Sequence, residues 1–397
     1  MLNKALLDPE VLKFIQENFK KDLPSLILKG SPFKYITIKD LAIQLKGLKI
    51  AEKKFPELYQ NPKILYPPKL NLEQTSSEIT AKYKASLISG KYGIDLTGGL
   101  GIDSYFISQN FKQFQYCELN GELAEIAKHN FKALGADNIT VSIGDGLSIL
   151  NNFKTNFDWI YADPARRNDH GGKVFKFEDC EPNIPKHLDL IFSRSNNLML
   201  KSSPLVDITA GINELKFVKE IHIVAVKNEV KELLWILEKD YKENPIIKTI
   251  NFEKDEVQEF SGMYASEVDD TEFSLPKSFL YEPNAAMMKS ALFEQLALKT
   301  RTQKLHQHSH LYTSEKLLEF PGRKFQVSDI KEYKPSYLKK YFKNKKANIT
   351  TRNFPDSVEN IRKKFKIKDG GTDYIFFTTN KHEEKIVIFC KKTNDPG

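Results

Sequence analysis

Residues 92–101 read Tyr-Gly-Ile-Asp-Leu-Thr-Gly-Gly-Leu-Gly, or YGIDLTGGLG. Two apolar residues, Ile94 and Leu96, bracket Asp95, and a glycine cluster follows at Gly98, Gly99 and Gly101. Behind it Ile102, Tyr105, Phe106 and Ile107 recur at helical spacing. The pattern predicts a strand, a tight glycine turn and a helix, the opening of a nucleotide-binding βαβ unit. Glycine suits such a turn because a ligand must come close to the backbone and φ can turn positive. A lone glycine turn also ends ordinary strands, so its meaning depends on what surrounds it.

Downstream, short apolar runs alternate with helical patterns. Strands are expected at 114–118, 139–142, 157–162, 198–201 and 221–226, and a helix at 122–134. Short Val/Ile/Leu/Phe runs between thin polar loops argue for a buried, mostly parallel sheet with helices on both faces. Upstream, residues 1–88 read as helical. Leu12, Ile15 and Phe19 share one face, and a second helix is expected over 38–48. Three prolines in 61–68 predict an extended linker. A helix then follows Thr75 or Ser76 as N-cap, with Ile79, Tyr83 and Leu87 as its apolar face. After about residue 275 the pattern changes. An Ala-rich helix is expected over 285–298. Beyond Pro321-Gly322 comes a small α+β unit with strands at 324–327, 347–351, 373–379 and 385–391 and helices at 335–343 and 357–365.

The chain has 397 residues, enough for two or three domains, and 40% hydrophobic and 28% charged residues, the balance of a soluble globular protein. Asp8, Glu10, Lys13 and Glu17 stand where a signal peptide needs an apolar run, and no apolar segment approaches the roughly 20 residues that span a bilayer. Cys117, Cys180 and Cys390 lie far apart and fit neither a metal site nor a disulfide framework. A cytoplasmic protein with no membrane partner and no metal is expected. The net charge is +8 overall, yet residues 276–397 hold 25 Lys and Arg against 13 Asp and Glu. That third therefore carries +12 and residues 1–275 carry −4, an asymmetry that suits a polyanion partner.

Four signals stand at successive strand ends, where an open α/β sheet binds its ligand. They are the glycine turn, Glu118 nineteen residues past Gly99, Asp145 in Ile143-Gly144-Asp145-Gly146, and Asp163-Pro164-Ala165-Arg166-Arg167. An acid about 20 residues past such a turn can accept hydrogen bonds from ribose hydroxyls. A nicotinamide dehydrogenase shares the turn and the acid. It does not account for an Asp-Pro turn after the fourth strand, nor for G-G-x-G in place of G-x-G-x-x-G.

As a set these residues resemble the class I S-adenosylmethionine-dependent methyltransferases. The likeness covers roughly 70–235. It implies a Rossmann-like α/β sheet and S-adenosyl-L-methionine as cofactor, contacted by Asp95, Thr97, Gly98, Gly99, Gly101, Asp103, Glu118 and Asp145. A narrower resemblance extends over nearly the whole chain. EQTS (73–76), DLTGGLGIDS (95–104), DPARR (163–167), LKSSPLVDI (200–208), VKNEVKELL (226–234) and YEPNAAMM (281–288) are similar to bacterial methyltransferases ending in a THUMP-like domain. It implies a helical region at 1–88, a methyltransferase core at 89–275, a ferredoxin-like piece at 276–323 and a THUMP-like α+β domain at 324–397. THUMP domains are associated with RNA, so the resemblance implies RNA methylation.

Methyl transfer asks the protein to align a nucleophile and manage a proton. Amino-methylating relatives use an Asn/Asp-Pro-Pro-aromatic turn. Here Asp163 and Pro164 match its start, Ala165 replaces the second proline, and Arg166 stands at the aromatic position. A guanidinium plane can stack a base or hold a phosphate. These four residues are the catalytic candidates, and an exocyclic amine is the favoured target. An Arg after Asp-Pro is also similar to uridine C5-methylating enzymes, which need a Cys nucleophile. Cys180 lies among Glu178, Asp179 and Glu181, which would blunt it. Arg167, Lys201, and Lys339, Lys343 and Lys346 on one expected helical face are the substrate-binding candidates. His306, His308 and His310 lack ligand spacing to Cys or carboxylate. Two other readings stay open: an RNA-binding or assembly protein with a core that has lost turnover, and a methyltransferase for a small molecule or protein.

Overall fold

The computed structural model describes residues 3–68, 72–73, 75–166, 176–266, 271–342 and 345–393, with Arg166 described in its backbone alone. The chain divides into two compact units, residues 1–219 with 234–243, and residues 220–233 with 244–397.

The first unit is built on parallel strands. β1 (Gly90–Asp95) pairs with β2 (Phe111–Glu118) on one side and β4 (Trp159–Ala162) on the other. β2 continues to β3 (Ile139–Ile143), and β4 to β5 (Asn197–Ser202). Ile94, Ile160, Leu198, Met199 and Leu200 are fully buried, and each contributes roughly 1.5–3 kcal/mol by leaving water. Chain order reverses between β1 and β4, which opens a crevice at their carboxyl ends. Every strand expected in this unit is present, within three residues at either end.

Ahead of the sheet the helices Pro9–Asn18 and Ile38–Lys54 form as the periodicity predicts. Val11, Ile15 and Phe19 are buried and Leu12 half-buried; Thr37 and Asp40 close a capping box on the longer helix. The proline-rich segment is extended but not a loose linker. Ile64, Leu65 and Tyr66 are buried. Gln44 and Asn130 each exchange two hydrogen bonds with its backbone, at Tyr66 and Leu65, all at 2.9 Å. The next helix, Glu78–Leu87, corrects two expectations. Its N-cap is Ser77, not Thr75 or Ser76, and its buried face carries Thr80, Ala81, Lys84 and Ala85 while Ile79 is exposed.

In the second unit the strand Val218–Val226 pairs through residues 220–226 in parallel with Ile246–Phe252, which pairs antiparallel with Val257–Met263. These last two strands lie outside the set that the apolar runs of the sequence predict. A separate seven-stranded sheet includes Phe279–Pro283, Gly322–Glu332, Asn348–Arg352, Asp373–Thr379 and Lys385–Lys392. It packs against the helices Pro335–Tyr341 and Val358–Phe365 through Leu338, Phe342, Ile361, Phe365 and Phe377. The single helix expected over 285–298 is two helices, Ala285–Ser290 and Phe293–Thr300. Ala291 ends the first at φ 56°, and the Ser290 hydroxyl accepts the Leu292 N–H at 3.2 Å. Among the described residues no helix is long and apolar enough to cross a membrane, and no group of three or more His, Cys, Asp or Glu could hold a metal.

Candidate active site

The glycine turn hangs from the carboxyl end of β1. Gly98 donates to the Cys117 carbonyl at 2.7 Å, and a Cβ there would lie 2.1 Å from the Tyr116 ring. Gly99 has φ +56°, and a Cβ there would meet nothing closer than the Thr97 carbonyl at 3.9 Å. Its N–H donates to Glu118 Oε2 at 2.7 Å, and the Tyr116 hydroxyl donates to its carbonyl at 2.5 Å. Gly101, at φ +81°, starts the helix Ile102–Ser108. Glu118 also accepts the Asn120 N–H at 2.7 Å. The expected ribose acid thus already braces the turn. Asp145 is exposed and caps the helix Gly146–Asn152, accepting the Ser148 N–H at 2.9 Å.

Beneath the turn Asp95 is enclosed. Its Oδ1 accepts the Thr97 N–H at 2.8 Å, and its Oδ2 accepts the Ser104 hydroxyl at 2.5 Å. Burial pushes its carboxyl up to about 7; the hydrogen bonds from Ser104 and Thr97 oppose this, and the charges of Asp103 and Asp163 add to it. The Thr97 hydroxyl ties β1 to β4, because its oxygen accepts the Asp163 N–H at 2.6 Å. Asp163 in turn accepts Lys201 Nζ, from the end of β5, at 2.5 Å on Oδ2. Three strand ends therefore meet within hydrogen-bond distance.

Asp103 carries a second network. Its Oδ2 accepts the hydroxyls of Ser76 and Tyr161, both at 2.8 Å, and its Oδ1 lies 3.2 Å from the ammonium of the fully buried Lys84. Lys84 also donates to the Ser76 hydroxyl at 3.0 Å. Burial alone would raise the Asp103 carboxyl, but the charges of Lys84 and Lys201 and the two hydroxyls outweigh it and hold the carboxyl below its ordinary range. This explains the inverted helix Glu78–Leu87: an ammonium taken out of water needs a carboxylate partner, and Asp103 supplies it. Sequence reasoning missed Ser76, Lys84, Ser104 and Tyr161. The only signal was a lysine on the wrong side of an apolar stripe.

Beside Asp163 lies a cavity of about 80 Å³, lined by Pro164, Lys176, Phe177, Cys180, Lys201, Ser202, Ser203 and Val206. The buried Trp235 supports it, donating to the Ser202 hydroxyl at 2.9 Å and meeting the Phe177 ring edge-on at 5.4 Å. A two-residue antiparallel pair, Ala165 to Glu181 and Arg166 to Cys180, brings Cys180 to the Asp-Pro turn. The Arg166 side chain and Arg167 lie outside the described residues.

A family model described as THUMP domain-like matches residues 322–392, and one for a ferredoxin-like domain matches 279–321. A proposed methyltransferase from Porphyromonas gingivalis W83, known by crystal structure, is similar over 99% of this chain and 100% of its own, at 30% identity and a TM-score of 0.89. The chain belongs to the class I S-adenosylmethionine-dependent methyltransferases with a C-terminal THUMP-like domain. Two other solved structures match smaller parts. A proposed RNA methyltransferase from Pyrococcus horikoshii covers 34% of this chain and 66% of its own at 21% identity and TM-score 0.27. A methyltransferase from Geobacter sulfurreducens covers 41% and 78% at 16% and 0.31. No curated protein matches the chain.

In the THUMP-like domain of this methyltransferase the expected lysine face is interrupted. The helix ends at Tyr341, so Lys346 does not continue the face of Lys339 and instead bridges to Lys368. Phe342 is fully buried and turns the chain, its carbonyl accepting the Lys345 N–H at 3.0 Å. Lys339 and Lys346 are exposed; Lys343 lies outside the described residues. His306 is committed to Glu383 at 2.7 Å and to the His308 N–H at 3.0 Å, and His310 stacks on Phe293 at 3.8 Å.

Proposed function

We propose that this methyltransferase uses S-adenosyl-L-methionine to methylate a base in RNA, with an exocyclic amine as acceptor, and that it acts in the cytoplasm. The observation that carries the reading is the meeting of the Gly98-Gly99 turn, Glu118, Asp163 and Lys201 at one edge of a parallel sheet. The residues fit the cofactor. At Gly99 a Cβ would meet nothing closer than 3.9 Å, which leaves room beside the turn, and Glu118 stands one hydrogen bond from it. S-adenosylmethionine supplies an activated methyl on a sulfonium. Gly98, Gly99 and Gly101 let the backbone close on it, Glu118 accepts the ribose hydroxyls, and Asp145 faces the adenine. Asp95 and Thr97 shape the turn from below, and Asp103 holds the first helical turn in place.

On the acceptor side, Asp163 and the Pro164 carbonyl accept hydrogen bonds from the target amine, and Asp163 relieves it of a proton. Lys201 orients Asp163 by holding Oδ2, which leaves Oδ1 for the amine. Ala165 leaves room for the incoming base. Arg166 and Arg167 stack on it or hold its phosphate. Lys339, Lys343 and Lys346 add basic surface for RNA. The functional divisions are residues 1–88, 89–275, 276–323 and 324–397.

Two measurements test this. Calorimetry with S-adenosylhomocysteine should show binding; none at high micromolar ligand refutes the cofactor assignment. Mass spectrometry of nucleosides from wild-type and deletion strains should show one methylated nucleoside missing. If cofactor binds and no nucleoside changes, a core without turnover or a non-RNA acceptor replaces the RNA reading.

A further inference from the structure

The string Tyr281-Glu282-Pro283-Asn284 has no part in the site above, yet the second unit is built closely around it. Tyr281 is fully buried, and Asn284 caps the helix Ala285–Ser290. Glu282 is only 4% exposed, a position where a carboxylate must be paired. Its cross-strand partner Arg323 donates from Nε to Oε2 at 2.8 Å and makes a second bond to the same oxygen through Nη2. Arg352, at the end of the strand Asn348–Arg352, donates to Oε1 from Nη2 at 3.0 Å and from Nε at 3.3 Å.

One arginine would neutralise this carboxylate. Two leave the cluster with a net charge of +1, more than pairing requires. Both guanidiniums reach solvent, with side-chain exposures of 41% and 30%. Glu282 occupies the Nε and Nη2 groups of each, so among the described residues both Nη1 groups are neither bonded nor buried. A shared buried anchor thus fixes two planar forks and turns their free edges outward. His310 is pushed down to about 4, first by burial and then by the charges of Lys304 and Arg352, with Glu294 opposing. Lys304 is itself paired with Glu294 at 2.8 Å.

We propose that Glu282, Arg323 and Arg352 form a phosphate clamp for the RNA backbone. Planar guanidinium donors match phosphate oxygens in pairs, and a fork held in place loses less freedom on binding than a free lysine. The clamp rests on the RNA reading above and names where that RNA is held.

The test uses the full chain, a fluorescein-labelled single-stranded RNA and fluorescence anisotropy across a salt series. Arg323→Gln and Arg352→Gln each leave Glu282 one arginine, so neither strands a buried charge. Each should weaken RNA binding roughly tenfold and lower the salt slope by about 0.7 for each phosphate no longer neutralised. Lys13→Gln, the same charge change at an exposed site in the first unit, should change neither. Thermal unfolding verifies that the variants fold. If wild type binds the RNA and the arginine variants match Lys13→Gln, the clamp is refuted and the RNA reading stands. If wild type binds no RNA, both fall.

Discussion

Asp95 sits on the shaping side of the turn, which makes it a place where pH and stability should be visibly linked. It is 1% exposed, and burial raises its carboxyl from an ordinary 3.8 to about 7. The fold therefore holds a proton that the unfolded chain releases. Stability is lost as pH climbs from about 4 to about 7 and changes no further above that. Some three units at 1.36 kcal/mol each set the loss at roughly 4 kcal/mol at most. Asparagine cannot ionise. Its Oδ1 can still accept the Thr97 N–H, and its amide can donate to the Ser104 hydroxyl. Asp95→Asn should therefore be more stable than wild type by about 2–4 kcal/mol near pH 8, with the gap narrowing to roughly 1–2 kcal/mol at pH 5 and closing near pH 4. Urea denaturation at these pH values measures it. A variant weaker than wild type at the higher pH, or a gap that ignores pH, would show that Asp95 is stabilised as an anion and that the burial argument is wrong.

Other outcomes follow from the same geometry. Lys84→Met leaves the Asp103 carboxylate buried without its ammonium and should cost roughly 3–5 kcal/mol. Adding Asp103→Asn to it should recover part of that loss, read by denaturant midpoints. Gly98→Ala drives a Cβ to 2.1 Å from the Tyr116 ring and should cost roughly 1–3 kcal/mol together with cofactor affinity; an unchanged Tm would mean the ring has room to move. Glu118→Ala removes the proposed ribose acceptor and one brace of Gly99. S-adenosylhomocysteine binding should weaken at least tenfold by calorimetry, and more than for any lysine change in the C-terminal domain.

By itself the sequence determined the sheet and the row of strand ends. Apolar runs of strand length spaced by helices leave few alternatives to a parallel sheet, and a parallel sheet lines up its carboxyl ends along one edge. The stretch 92–101, Glu118, Asp145 and Asp163 are legible because each stands at the carboxyl end of a strand or within two residues of it. Local periodicity could not show which face of residues 78–87 turns inward. Ile79, Tyr83 and Leu87 mark an apolar stripe, but the pairing of Lys84 with Asp103 outweighs it. Nor could it show that Ala291 breaks a helix. Only the tertiary structure brings Ser76, Lys84 and Tyr161 to Asp103, Lys201 to Asp163, and Arg323 and Arg352 to Glu282. The physical reason is the same each time. A charge removed from water must find its partner wherever strand order places one, and that distance is not written in the neighbouring residues.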